Sequence, residues 1–296
     1  MVLSLALNFL REQVLTGSLA LFTQDFWPYQ PDLGRDWEVE ELDELEAYQR
    51  REQTSAAPDH AFTWSPVTGG TAGPMKAKNV LIGLNGAGAL FLLAHFTPQN
   101  AVATLQRAES PKEDDSLHFP RSEKHQCTIY STSNMILVLC HYEVKPEEAW
   151  EWTQTLFEHV DGDRVVVFDD FTVGQYRTRA DDLYPPLVRK VESSKADPVA
   201  DDIKYLEPPT IVTGPSAAIL THRQLRNREA RIYLSLREQY LGKNEVVSET
   251  LEAFEGPLKA VLGGAELGQP IGQGKAKYRE VLEKHVGKPR ESALYI

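Results

Sequence analysis

The sequence predicts an α/β fold, a layered sandwich with a mostly parallel sheet, one antiparallel hairpin and helices on both faces. Short apolar runs typical of buried strands alternate along the chain with runs of helical periodicity. Glycine-containing turns join strand to helix directly, which is typical of α/β units. Two of the apolar runs are separated only by a short polar turn, and this spacing indicates the hairpin.

The first strand is predicted at residues 79–84, a continuous apolar run typical of a buried strand. The turn Asn85-Gly86-Ala87-Gly88 leads into a helical run at 89–94. Residues 106–124 are charged and contain two prolines, which predicts a long surface loop. The sheet therefore opens with a strand–turn–helix unit.

The hairpin is predicted from strands at 127–131 and 135–140, joined by three polar residues. A helix is expected from Pro146 to about residue 160, because proline and acidic side chains are favoured in a first turn. A further buried strand is predicted at 164–168.

The last unit of the sheet is predicted as strand 209–213, helix 217–222 and strand 230–236. Two more helices are expected at 246–261 and 276–285. These elements complete the predicted sandwich.

Composition divides the chain into four parts. Residues 1–53 are predicted as an acidic helical segment, and residues 54–74, rich in Ser, Thr, Pro, Gly and Ala, as a flexible linker. The α/β domain is expected at 75–286. Residues 287–296 are predicted to be an extended tail, because a glycine and a proline interrupt the helical pattern.

Charge and cysteine content narrow the functional class. The formal net charge of −12 argues against a nucleic-acid partner, which would need a basic surface. Only Cys127 and Cys140 are present, each within a predicted strand, so a reducing compartment is expected rather than a disulfide framework. The apolar residues 2–10 lack a basic leader and a cleavage site, and no later run is long enough to cross a bilayer, so no membrane partner is expected.

The glycine-rich segment from Gly83 to Gly88 is the first candidate for chemistry. It follows a strand and precedes a helix, where backbone amides attract phosphate. Its glycines have the wrong order for the dinucleotide fingerprint. A tight strand-to-helix turn is therefore predicted.

Two other candidates have incomplete motifs. Asp169 and Asp170 end a strand as a magnesium-holding pair would, but the nearest phosphate-loop candidate, residues 268–275, has one residue too many and is followed by Ala276. A turn or helix cap is the alternative. Ser216 has the setting of a nucleophile elbow, but the second glycine is missing and no downstream acid-then-histidine pair stands out, since His285 lies in a basic helix.

Two further groups of side chains contain potential ligands or acids. The residues His125, Cys127, Cys140 and His141 could suggest a zinc site. Neighbouring strand residues such as Cys140 and His141 point to opposite faces, so all four side chains cannot converge. Buried cysteines and surface histidines are therefore expected. A solvated helix face is expected at Glu147, Glu148 and Glu151. The sequence thus predicts no catalytic residue, no metal and no cofactor, and the protein is not expected to be an enzyme.

The sequence ends in Leu294-Tyr295-Ile296, three large side chains that would lower solubility unless they dock. A cation would hold the carboxylate, a pocket would take Leu294, and Tyr295 would bury its ring. The alternative is that the tail folds back and packs Leu294 and Tyr295 on its own domain. Both readings are open on these residues alone.

This terminal pattern is similar to the hydrophobic-Tyr-any motif of proteasome activators and certain assembly chaperones. Together with residues 209–220 and the strand ending in Tyr233-Leu234-Ser235-Leu236, it resembles the proteasome assembly chaperone 1 family. Residues 79–88 and 171–178 are also similar to that family.

The resemblance implies a cytoplasmic chaperone with an α/β fold, with the nucleus as an alternative location. It implies a heterodimer with proteasome assembly chaperone 2 that holds the α-subunit ring of the core particle. Leu294, Tyr295 and Ile296 would dock into a pocket between α subunits. The rival reading is an α/β hydrolase or nucleoside-processing enzyme using the Gly83–Gly88 turn and Ser216, and such an enzyme would tolerate loss of the last three residues.

Overall fold

The structure, a computed structural model, describes residues 62–67, 73–96, 98, 100–107, 126–132, 134–177, 183–199, 201–240, 242–263 and 274–286. All of them belong to the unit Asp59–Ile296. The strands are β1 (Phe62–Pro66), β2 (Met75–Gly83), β3 (Ala103–Arg107), β4 (Gln126–Ser131), β5 (Met135–Cys140), β6 (Val160–Phe171), β7 (Val188–Glu192), β8 (Glu229–Leu236), β9 (Glu238–Tyr240) and β10 (Lys243–Glu245). The helices are α1 (Ala87–Phe96), α2 (Ala149–His159), α3 (Gly214–Leu225), α4 (Ser248–Glu252), α5 (Glu255–Leu262) and α6 (Gly274–His285).

Strands β1 to β8 form one sheet in the order β1-β3-β4-β5-β2-β6-β8-β7. The four central strands, β5, β2, β6 and β8, are parallel. Antiparallel strands extend the sheet on both sides, and β4 with β5 is the predicted hairpin. The predicted α/β class is confirmed, with a larger antiparallel part than expected because β1, β3 and β7 were not predicted.

Helices cover both faces of the sheet, as predicted. The central strand β2 shows the division, because Val80 and Ile82 contribute to one apolar core and Leu81 to the other. The first core is closed by α2 and α3, and the second by α1, α4, α5 and α6. None of the described helices is long and apolar enough to span a membrane.

Strand β1 lies inside the segment predicted as a flexible linker, so that prediction is wrong for Phe62–Pro66. Phe62 is buried in the core, and the ring of Trp64 stacks on His159 with centroids 4.6 Å apart. Two aromatic side chains thus hold a short strand against β3 and α2. The strand was not predicted because Ser, Thr, Pro and Gly residues on either side dominate the average composition of the segment.

Two other predicted elements differ from the structure. Residues 209–213 do not form a strand; they lead into α3 as extended chain, and Pro208 and Pro209 have no N–H groups for a ladder. The predicted helix at 246–261 is divided into α4 and α5 by a turn. The remaining predicted strands and helices of the domain are present with shifted ends.

The edge strand β7 was missed because it carries charged residues. Lys190 is nevertheless buried, and its Nζ lies 2.6 Å from Oδ1 of Asp201. The hydroxyl of Tyr233 donates to the other oxygen of that carboxylate at 2.8 Å. A buried lysine is stable only with such a partner, and the hydroxyl that completes the group comes from Tyr233, far along the sequence.

Candidate functional site

A cavity of about 490 Å³ lies at the carboxyl end of the parallel strands. The chain leaves β2 and β6 in opposite directions across the sheet, since β2 leads through α1 to the antiparallel side and β6 leads to β7 and β8. Ligands of open α/β sheets bind at such a switch point. Asn85, Gly86, Asp169 and Asp170 line the cavity there.

The predicted glycine turn forms the contact between β2, α1 and β6. A Cβ at Gly83 would lie 2.7 Å from the carbonyl oxygen of Gly88, and a Cβ at Gly88 would overlap the carbonyl oxygen of Phe168. Gly86 has φ +112°, and a side chain there would collide with Asp170 and Arg237. The prediction of a tight strand-to-helix turn is confirmed.

Asp170 occupies the position at which a phosphate would bind to the start of α1. Its Oδ2 accepts a hydrogen bond from the N–H of Ala87 at 2.6 Å, and its Oδ1 lies 2.5 Å from Nε of Arg237. Asp170 therefore caps α1 from a neighbouring strand, in agreement with the predicted capping role. The protein's own carboxylate takes up the donor groups that a phosphate loop would offer.

Ser216 is fully buried and donates a hydrogen bond of 2.6 Å to Oδ2 of Asp169. The other oxygen, Oδ1, accepts the N–H of Asp170 at 2.8 Å. His222, on the same helix as Ser216, instead stacks on Phe157 with ring centroids 4.8 Å apart. The serine therefore faces a carboxylate, and no hydrogen bond joins it to a histidine of the described ranges, which argues against a nucleophile elbow.

Burial raises the pKa of the Asp169 carboxyl to about 7, and the nearby Asp170 adds to the effect. We therefore expect Asp169→Asn to change how stability depends on pH. Between about pH 4 and pH 7 the folded protein holds a proton that the unfolded chain releases, so wild-type stability falls as pH rises through this range.

The Asp169→Asn variant lacks this titration. Its stability relative to the wild type should rise by on the order of 2 kcal/mol between pH 5 and pH 8. Urea unfolding of both proteins at several pH values measures the difference. A difference that is constant with pH would contradict the prediction.

The proposed zinc ligands do not converge where they are described. Cys127 and Cys140 face each other across β4 and β5, both fully buried, and Sγ of Cys140 donates to the carbonyl oxygen of Tyr142 at 3.2 Å. His141 is buried, contrary to the expected surface position, and burial lowers its pKa to about 4, with His285 contributing. Within the described ranges no three His, Cys, Asp or Glu side chains are placed to hold a metal. His125 lies outside them.

The acidic face at the start of α2 is only partly solvated. Glu147 is exposed, as predicted. Glu148 is half-buried and pairs with Arg107 of β3, which the sequence did not reveal. This ion pair joins the loop before α2 to the antiparallel side of the sheet.

Helix α6 is the last described element and carries the tail. Tyr278 and Leu282 are buried against the second core. The hydroxyl of Tyr278 donates to Oε1 of Glu255 at 2.8 Å and lies 2.7 Å from Nε2 of His95. Val286, just after the helix, lines the cavity. The predicted docking residues Leu294, Tyr295 and Ile296 lie outside the described residues.

Sequence reasoning missed Arg237, which comes directly after β8 and neutralises Asp170. The parallel register pairs Asp170 with Ser235, so a basic residue two positions further on is well placed to reach the carboxylate. The available signal was a pair of opposite charges, Asp170 and Arg237, at the carboxyl ends of two adjacent parallel strands. Using it required knowing that β6 and β8 are neighbours.

No protein-family model matches the chain. In sequence it is similar to proteasome assembly chaperone 1 of Nematostella vectensis, with 22% identity over 225 residues that cover 70% of this chain and 85% of that protein. In fold it is similar to two proteins of Pyrococcus furiosus. PbaB, an archaeal proteasome activator, has a TM-score of 0.51 at 13% identity, covering 76% of this chain and 96% of PbaB. PbaA, an archaeal homolog of proteasome-assembly chaperone, has a TM-score of 0.52 at 14% identity, covering 76% and 89%.

The match in sequence and the match in fold agree with each other. The similarity to the sea-anemone protein extends over most of both chains, well beyond the motifs on which the resemblance was first based. The archaeal proteins share the α/β architecture at much lower identity. Sequence and fold together confirm the resemblance of this chain to the proteasome assembly chaperone 1 family.

Proposed function

We propose that this chain is an assembly chaperone of the proteasome core particle. It pairs with a related partner, proteasome assembly chaperone 2, binds the α-subunit ring, and docks Leu294, Tyr295 and Ile296 into a pocket between α subunits. The observation that carries the proposal is the sequence similarity to proteasome assembly chaperone 1 over 85% of that protein. The terminal motif supports the docking role.

The geometry of the cavity favours this proposal over the hydrolase alternative. Ser216 donates to Asp169, and Asp170 is bound to Arg237 and to the start of α1. These groups satisfy one another, whereas a nucleophile needs a base within hydrogen-bond reach. The polar cluster holds β6, β8, α1 and α3 together.

Affinity purification of the full chain followed by mass spectrometry tests the proposal. We expect the related partner chaperone and proteasome α subunits to co-purify, and native material to run as a heterodimer in size-exclusion chromatography. Ser216→Ala should bind the same proteins, because the hydroxyl of Ser216 makes a hydrogen bond inside the fold and does not contact a partner. A monomer that captures no α subunit, or a folded Ser216→Ala protein that has lost α-subunit binding, would contradict it.

An exposed apolar surface on the α2–α3 layer supports pairing with a protein. Trp150 is 39% exposed and Leu225 is 72% exposed. The ring of His222 lies 6.1 Å from the ring of Trp150, and His222 comes one turn before Leu225 in α3. Aromatic and aliphatic side chains of this kind are typical anchors of protein interfaces.

We expect Leu225→Asp and Trp150→Asp each to weaken pairing with the partner chaperone by at least about tenfold, since each loses about 1.5–3 kcal/mol of apolar burial. Leu225 is 72% exposed in the single chain, so Leu225→Asp should change its melting temperature little. Leu225→Met is the matched control, because it keeps an apolar side chain of similar size. Titration of labelled partner measures the affinities, and equal values for Leu225→Asp and Leu225→Met would exclude this surface.

A further inference from the structure

The cavity has an apolar wall that is open to solvent at its mouth. Leu206, Ile211 and Val212 form one side, from the extended chain before α3, and Val246 and Val286 form another. Ile211 is 77% exposed and Val286 is 36% exposed. Apolar side chains around a concave opening are expected to be covered by a ligand or a peptide segment.

The lining of the cavity is also acidic. Asp169, Asp170, Glu143 and Glu245 contribute to it, with Arg237 as the basic residue. Asp170 is paired with Arg237 and Asp169 with Ser216. Among the described side chains, Glu143 and Glu245 have no ion-pair partner within 4 Å, although Glu143 acts on Arg237 at longer range. The cavity therefore favours an occupant that is both basic and apolar.

The chain's own tail, residues 287–296, has basic residues near its start and apolar residues at its end, with Glu291 between them. Lys288 and Arg290 come within four residues of Val286, and Leu294, Tyr295 and Ile296 follow them. Since Val286 itself lines the cavity, the tail begins at its wall. Eight residues reach at most about 26–29 Å when extended, which is far more than the distance across such a cavity.

We propose that in the chaperone that is not bound to the α ring, the tail folds back into this cavity. Leu294 and Tyr295 pack on the wall formed by Leu206, Ile211 and Val212, while Lys288 and Arg290 approach Glu143 and Glu245. Because the tail is covalently attached at the rim, its effective concentration is in the millimolar range. A weak contact is then sufficient for occupancy.

Self-docking would make the cavity and the α ring compete for the same side chains. The apparent affinity for the ring would be reduced by the fraction of molecules in which the tail is undocked. This competition rests on the proposed function, whereas the self-docking of the tail in the cavity does not. The two are therefore tested in separate arms of one experiment.

The test joins the tail to the cavity mouth by a disulfide in the full chain. Ile211→Cys and Ala293→Cys are introduced together and oxidised with diamide, which takes up two hydrogens as the two thiols form the bond. The natural Cys127 and Cys140 are fully buried and stay in place. The rate of cross-linking is read by mass spectrometry of the digested protein.

We expect Leu294→Ser with Tyr295→Ser to slow the cross-link at least about fivefold, because the tail length is unchanged and only its apolar contacts are lost. Ser292→Ala, the control in the same tail, should leave the rate unchanged. Glu143→Gln with Glu245→Gln should slow it less. A rate in the double serine variant within fivefold of the parent would overturn the proposal.

The second arm adds isolated α subunits to the parent cysteine pair. If the proposed function is also correct, they should slow the cross-link by withdrawing the tail from the cavity. If the double serine variant slows the cross-link but α subunits do not, the self-docking stands and the proposed function is contradicted. A side-chain-independent cross-link would contradict the self-docking whatever the α subunits do.

Discussion

Removal of Leu294, Tyr295 and Ile296 should weaken binding to the proteasome α ring by roughly 30-fold while leaving the fold unchanged. Burying a leucine contributes about 1.5–3 kcal/mol and a tyrosine a comparable amount, and part of this is lost in ordering the tail. A net loss of about 2 kcal/mol corresponds to that factor. The described core does not involve these residues, so urea unfolding of the two proteins should differ by no more than the weak contact of the self-docked tail.

Adding one alanine after Ile296 is the sharper variant, because it keeps all three side chains and displaces only the terminal carboxylate. If a cation in the pocket holds that carboxylate, the extension should weaken binding by an amount close to that of the truncation. Ser292→Ala is the control within the tail and should bind like the wild type. Pull-down of α subunits that is equal for wild type, truncation and extension would remove the tail from the mechanism.

Gly88→Ala should destabilise the folded protein by at least about 3 kcal/mol, the upper end of the range for overpacked cores. The new Cβ would overlap the carbonyl oxygen of Phe168, which also accepts the N–H of Leu84 at 3.0 Å. Relief of the overlap would require α1 to move away from β6, breaking that hydrogen bond. The melting temperature should fall by roughly 6–12 °C for a domain of this size.

Gly256→Ala is the matched control for Gly88→Ala. Gly256 lies in the first turn of α5, and no atom is within 4 Å of a Cβ added there. This substitution should raise stability by about 0.5–1 kcal/mol, because alanine is the better helix former. If both variants melt at the same temperature as the wild type, the close approach of α1 to β6 is not required for folding.

Most of the predicted strands that the structure confirms are those whose burial is evident in the residues themselves, and β4, whose composition is mixed, was also predicted. Strands β2, β5, β6 and β8 lie at or beside the centre of the sheet and are covered on both faces, so each contains a continuous apolar run. Strands β1, β3 and β7 are at or near the edges and have mixed composition. Their pairing depends on distant partners, such as Tyr233 for Lys190, that no local pattern identifies.

The candidate site shows the same division. The turn from Gly83 to Gly88 could be predicted because the reason for its glycines is local: the chain must reverse sharply between a strand and a helix. The roles of Ser216 and Arg237 could not be predicted, since both depend on which strands are neighbours. Isolated motif matches therefore suggested a nucleophile and a metal-binding pair where the structure has hydrogen bonds from Ser216 to Asp169 and from Ala87 to Asp170, and an ion pair between Asp170 and Arg237.

The position of β2 between β5 and β6 also determines how the protein can fold during synthesis. Of these three strands, β2 is translated first. Its two hydrogen-bonding neighbours are translated later, and β6 ends roughly 100 residues after β2 begins. At about 5–20 residues per second, the apolar segment of β2 waits on the order of 5–20 s beside the ribosome before the sheet can close. Parallel pairings of this kind form slowly and leave strand edges exposed meanwhile. We therefore expect the nascent chain to be bound by ribosome-associated holding factors until β6 has emerged.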